Sequence, residues 1–180
     1  MILNRAKLLV PTIVVAGMAL GASVSGLPQA RAAAPTAQES VPTVVLIAPG
    51  VITQTLSAGM PGAAPGQRLA LSRLTLMPGG IGPAHVHPGM TVVHVESGAF
   101  GWTLLRGAGT VTRASGEIEE VTEPGTEVLL VPGDALVYEA FTAHTARGVA
   151  EYPTVVVNAR LLEADQPAII PTNDQGTPTP

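Results

Sequence analysis

Cysteine is absent from the chain. Disulfides, thiolate metal ligands and cysteine nucleophiles are thereby excluded. Aromatic residues are scarce, at 3%, although hydrophobic residues reach 46%. The core must therefore be aliphatic, built from Val, Leu, Ile and Ala. Positive charge is thin and scattered, and the formal net charge is -4. Arg5 and Lys7 lie at the start and Arg31 soon after, and no basic stripe follows. Nucleic acid is excluded as an expected partner on that ground. Between residues 43 and 162 no stretch keeps a 3.6-residue apolar period, which argues against amphipathic helices. No internal repeat of about 20–50 residues marks a solenoid or propeller.

Turn formers are abundant, with 20 glycines and 17 prolines. They cluster as Pro49-Gly50, Pro61-Gly62, Pro78-Gly79-Gly80, Pro88-Gly89, Pro124-Gly125 and Pro132-Gly133. Between these pairs lie short runs rich in Val, Leu and Thr. The runs predict strands over 44–48, 51–57, 68–77, 91–96, 100–105, 110–113, 127–131, 135–139, 144–149 and 154–162. Many short strands with tight turns imply an all-β sandwich or barrel.

A chain of 180 residues suits one domain with extensions. Residues 1–34 read as a secretory signal: Arg5 and Lys7 lead an apolar run from Leu8 to Leu27, and Ala30-Arg31-Ala32 offers a cleavage site. An uncleaved segment would instead tether the protein. Either way the folded part is expected outside the cytoplasm, periplasmic or extracellular. Residues 35–42 form a Pro/Ala/Ser linker, 43–162 the β-domain, and 163–180 a polar, proline-punctuated tail expected to be disordered.

Only four histidines are present: His85, His87, His94 and His144. Residues i and i+2 of a strand point to one face, so His85 and His87 can aim together into an interior, as half of a metal site. His144 follows a strand opened by Gly133.

Together these segments resemble the two motifs of the cupin superfamily, as a small single-domain, type 2-like member. In the first motif Gly79 precedes His85 by five residues, His87 follows, Thr91 stands at the usual glutamate ligand, and Gly98 closes the segment. In the second, Gly133 leads to His144 at the family spacing. Glu139 replaces the motif's proline, Phe141 a glycine, and Gly148 the final asparagine. The resemblance covers roughly residues 66–162. It implies a single antiparallel β-barrel of the double-stranded β-helix, or jelly-roll, type.

The resemblance further implies one divalent metal on His85, His87 and His144, with Thr91 lining the same cavity. Three imidazoles suit Fe, Mn, Zn, Ni or Cu. Without the glutamate the ion keeps its full charge, so a small anionic ligand is expected. Three-histidine cupin sites occur in some dioxygenases. A metal-dependent oxygenase acting on an enolic, phenolic or carboxylate substrate is therefore expected, with a non-catalytic ligand- or metal-binding barrel as the alternative. His94 is out of phase with Thr91 and is expected on the outer face, where Glu96 could pair with it. Glu139 and Tyr138 are candidates for a general base. Met90 reads as a packing residue, and Phe100 and Trp102 as core or dimer contacts. A homodimer is expected, since an isolated barrel of this kind often covers an outer sheet face with a partner.

Overall fold

The computed structural model describes residues 43–179. The signal and linker expectations for 1–34 and 35–42 lie outside those residues.

Thirteen strands and no helix occur among the described residues. They are β1 (Val44–Ala48), β2 (Val51–Gly59), β3 (Gln67–Leu76), β4 (Ile81–Val86), β5 (Gly89–Ser97), β6 (Phe100–Arg106), β7 (Gly109–Thr112), β8 (Ile118–Val121), β9 (Glu127–Leu130), β10 (Ala135–Tyr138), β11 (Ala143–Gly148), β12 (Thr154–Glu163) and β13 (Ile170–Pro171). All pairings are antiparallel. The large sheet runs β1-β2-β3-β12-β5-β10-β7-β8, and the small sheet β13-β4-β11-β6-β9.

Strand order identifies the architecture. At the centre of the large sheet the order is β3-β12-β5-β10, and in the small sheet β4-β11-β6-β9. Successive strands from β3 to β6 switch between the two sheets, and strands from the later part of the chain insert between them. That interleaving is the double-sheet jelly roll to which cupins belong. The two sheets share no ladder, so the barrel is a pair of facing sheets without a closed hydrogen-bonded ring.

Alternation along the strands builds the core. In β5 Thr91, Val93 and Val95 are buried, while Met90, His94 and Glu96 are exposed. Leu136 and Tyr138 of β10, Trp102 and Leu104 of β6 and Leu130 of β9 meet them between the sheets. Full burial of such a side chain contributes about 1.5–3 kcal/mol. Three of the five aromatics, Phe100, Trp102 and Tyr138, are thus spent inside, while Phe141 and Tyr152 are exposed.

Glycine is required at two of the motif turns. Gly98 (φ 81°) and Gly133 (φ 94°) sit in the left-handed region, and a Cβ on Gly98 would stand 2.5 Å from Thr154 Oγ1. Phe141, at the motif's missing glycine, keeps the left-handed conformation with φ 60°.

The tail expected to be disordered is ordered. Ile170 and Pro171 pair with Val86 and His85 as the edge strand β13. Thr172 N–H donates to the Ala84 carbonyl, and Glu163 N–H to that of Pro88. Asn173 Oδ1 accepts from the N–H groups of Gln175 and Thr177. Backbone ladders and an Asn-centred turn hold this segment, and neither needs the apolar periodicity that it lacks. The folded unit therefore extends past residue 162.

Candidate metal centre

His85 lies near the end of β4, and His144 faces it from β11 as its register partner. Between His144 and Ala146 the pairing slips, so that Pro83 and Ala84 take up an extra residue in β4. A bulge of this kind re-aims the side chains beside it. It also accommodates Pro83, which has no N–H to give the ladder. His87 follows β4 directly, and its carbonyl accepts the Phe141 N–H at 2.8 Å. The left-handed turn before β11 is thereby tied to the residue beside β4.

The three rings converge. Centroids of His85 and His144 are 4.3 Å apart, those of His85 and His87 4.8 Å, and those of His87 and His144 5.5 Å. One nitrogen from each ring lies within 4.8 Å of the others. His87 and His144 are each 2% exposed, and His85 is partly buried.

Hydrogen bonds fix which nitrogen is free. Nδ1 of His85 contacts the Pro83 carbonyl at 2.7 Å, that of His87 the Ala168 carbonyl at 2.6 Å, and that of His144 the Thr142 carbonyl at 3.0 Å. A carbonyl only accepts, so each Nδ1 carries the proton. Each Nε2 is then the unprotonated nitrogen that a metal requires. Burial pushes all three imidazoles below the ordinary histidine value, His87 and His144 well below it; the cation Arg160 adds to the shift in each. The rings are neutral at pH 7. This donor set fits a divalent ion of the borderline class, and an ion held there would act as a Lewis acid.

Opposite the histidines stands the large sheet. Tyr138 Oη lies 3.2 Å from His144 Nε2, and with Nδ1 already protonated the phenol is the donor. Burial pushes the Tyr138 pKa up to about 12. Tyr138 is therefore a hydrogen-bond donor at neutral pH and does not serve as a base. Trp102 packs against both, with centroids 5.6 Å from Tyr138 and 5.7 Å from His144. Thr91 is fully buried and is the register partner of Tyr138.

Arg160 was not legible as a site residue. It is the register partner of Thr91 on β12 and shares the inward phase of Val156 and Leu162. An arginine in phase with buried aliphatics is the signal that could have found it. Its guanidinium donates to Ser72 Oγ at 2.9 Å, and its buried Nε has no hydrogen-bond partner. Burial lowers its pKa, but an arginine stays cationic. Arg160, Arg68, Ser72 and His85 line a cavity of about 140 Å³, and Ala168 and Ile169 of the folded-back tail form part of its wall.

The remaining candidates fall elsewhere. His94 and Met90 are exposed on the outer face of β5. Glu96 pairs with Arg73 at 3.2 Å instead of with His94, because Arg73 on β3 shares that outer face. Glu139 is exposed, which removes it as a general base at this centre.

No family model and no curated protein matches the chain. Among solved structures it is similar to KdgF from Halomonas sp., with 19% identity over 68% of this chain and 88% of that one, and a TM-score of 0.48. It is also similar to an RmlC-like cupin from Shewanella frigidimarina, with 17% identity over 69% and 86% and a TM-score of 0.39. For an oxalate oxidase the identity is 17% over 68% of this chain and 55% of that one, with a TM-score of 0.46. With β3-β12-β5-β10 facing β4-β11-β6-β9, the chain has the fold of the cupin superfamily.

Proposed function

We propose that this is an exported cupin-fold protein that holds one divalent metal ion on His85, His87 and His144 and presents it to a small ligand, most simply as a metal-dependent oxygenase acting on an enolic, phenolic or carboxylate substrate. The carrying observation is the common tautomer: three converging Nε2 atoms are left unprotonated because three backbone carbonyls hold the Nδ1 protons. Within the site, Tyr138 beside His144 would turn its proton to an oxygen of the ligand once an ion takes His144 Nε2, and the apolar interior excludes water. Metal analysis of protein purified from the producing cell tests the first part. About one ion per chain is expected, and a metal-free chain that takes up no zinc, iron, manganese, nickel or copper would sink it. Oxygen uptake over a panel of enols and phenols tests the second part.

One observation favours the non-catalytic alternative: Glu139 faces solvent and Tyr138 holds its proton, so neither candidate base serves at the centre. A ligand that binds without oxygen uptake or product formation would decide for it. Export is supported by the basic start and apolar run of residues 8–27, and N-terminal sequencing of the mature protein tests it. The partner proposed is a second copy of the chain. Leu69, Leu161 and Met90 stand in register across β3, β12 and β5 on the outer face, with Leu69 and Met90 exposed. A monomer in light scattering would exclude it.

A further inference from the structure

Arg160 is the charged group at this site whose chemistry is incomplete; the other partnerless buried atoms here, Thr91 Oγ1 and Trp102 Nε1, are neutral. Its charge sits inside the protein, yet none of the ion pairs among the described residues includes it. Ser72 takes one of its N–H groups, and Nε is buried with no partner. Arg68 lines the same cavity and likewise joins none of those ion pairs. The groups around them supply no negative charge: His85, His87 and His144 are neutral, Thr91 and Ser72 are hydroxyls, and the rest of the wall is largely aliphatic. A buried guanidinium needs an acceptor that carries charge, and its planar fork matches a carboxylate with two parallel hydrogen bonds.

The register shows where that charge is missing. Arg160 pairs directly with Thr91 across β12 and β5, and Thr91 occupies the position where the first motif calls for a carboxylate. The chain thus has a cation here with no neighbouring anion. We propose that the cavity beside His85 is a carboxylate subsite in which Arg160, steadied by Ser72 and seconded by Arg68, receives the acid group of a small organic ligand. The apolar part of that ligand lies against Leu74, Leu162 and Ile169. This deepens the metal reading by naming the ligand class, and it rests on that reading only for what lies at the other end of the ligand.

Calorimetric titration of the full-length protein with benzoate and with benzamide, its neutral isostere, tests the proposal. Each is run on protein stripped by a chelator and on the same protein reloaded with zinc. Benzoate is expected to bind at least tenfold more tightly than benzamide in both states. Arg160→Gln is expected to remove that preference while leaving zinc stoichiometry unchanged, and Arg160→Lys to restore part of it. Thr91→Glu places a carboxylate beside Arg160 from within and is expected to weaken benzoate at least tenfold in a protein that retains the arginine. Equal binding of benzoate and benzamide to the wild type overturns the proposal whether or not the variants fold, as does Arg160→Gln with its benzoate affinity intact. Phosphate displacing benzoate as readily as acetate does would reveal an unselective anion hole and overturn the assignment to carboxylates. Loss of zinc binding with the arginine-dependent benzoate preference retained would refute the metal reading alone.

Discussion

The two sheets face each other across one interior and furnish it with opposite chemistry. Strands β4 and β11 of the small sheet, with the residue following β4, bring three neutral imidazoles whose free nitrogens accept. Strands β3, β5, β10 and β12 of the large sheet bring Arg68, Ser72, Thr91, Tyr138 and Arg160: hydroxyls and cations, with no carboxylate among them. On the proposed reading a metal ion belongs against the small sheet and an anion against the large one, with the ligand bridging the gap. The comparison also separates what each sheet depends on. The large sheet has eight strands and the small sheet five, one of which is the two-residue β13 supplied by the folded-back tail.

The strongest way to break this division is to remove an imidazole. Replacing His85, His87 or His144 by Ala is expected to weaken metal binding by well over the 10–100-fold that a supporting residue costs. His94→Ala, on the outer face of the large sheet, should leave stoichiometry unchanged. Metal content after dialysis reads both. Loss of metal in the His94 variant, with retention in the His144 variant, would invert the assignment.

Acid should act through the small sheet. His85, His87 and His144 have folded-state pKa values below the ordinary one of about 6.5. Above that value neither the folded nor the unfolded chain takes up a proton at these residues, and they add no pH dependence. Below it the unfolded chain binds protons that the folded chain refuses, so stability falls as pH drops, by about 1.4 kcal/mol per pH unit for each histidine. The decline continues until the folded values are reached. Urea unfolding of metal-free protein from pH 7.5 to 4.5 measures it. A flat profile from pH 6.5 to 5 would mean that the rings are not held neutral.

A smaller effect tests the small sheet's edge. A chain ending at Asp165 loses β13 and the Ala168 carbonyl that holds the His87 proton. Metal affinity is expected to fall about 10–100-fold, while the large sheet keeps its circular dichroism signal. Unchanged affinity would show that His87 needs no such anchor.

The smallest change concerns the link between the sheets. Phe141 connects β10 to β11 with φ 60°, and its side chain is 46% exposed. A left-handed conformation costs an L-residue roughly 1–2 kcal/mol. Phe141→Gly is therefore expected to stabilise the protein by about 1 kcal/mol in urea midpoints. A loss of stability would show that the ring packs on the turn more firmly than its exposure implies.

Much of the fold was legible because alternation and Pro-Gly pairs carry it. The strand spans expected at 44–48, 51–57, 91–96 and 154–162 lie within β1, β2, β5 and β12. What was not legible lacked a side-chain pattern. β4 contains Gly82 and Pro83 and absorbs a bulge, β8 is hidden in Ile118-Glu119-Glu120-Val121, and β13 is held chiefly by backbone bonds. The site divides the same way. Spacing brings His85, His87 and His144 to notice, whereas the carbonyls that orient them leave no trace in composition. Arg160 reads as one more polar residue of a strand until register sets it beside Thr91.

The interleaved order of the sheets also governs how the protein is made. Neighbours such as β3 and β12, or β4 and β11, are distant in sequence, so the search that pairs them is long and the closing of each loop is entropically slow. His85 and His144 cannot meet in register until that search has ended, whereas His85 and His87 are neighbours in sequence from the start. A metal present during folding would therefore gain its third nitrogen last. It would act less as a template for the nascent chain than as a latch, lowering the rate at which the finished molecule opens again.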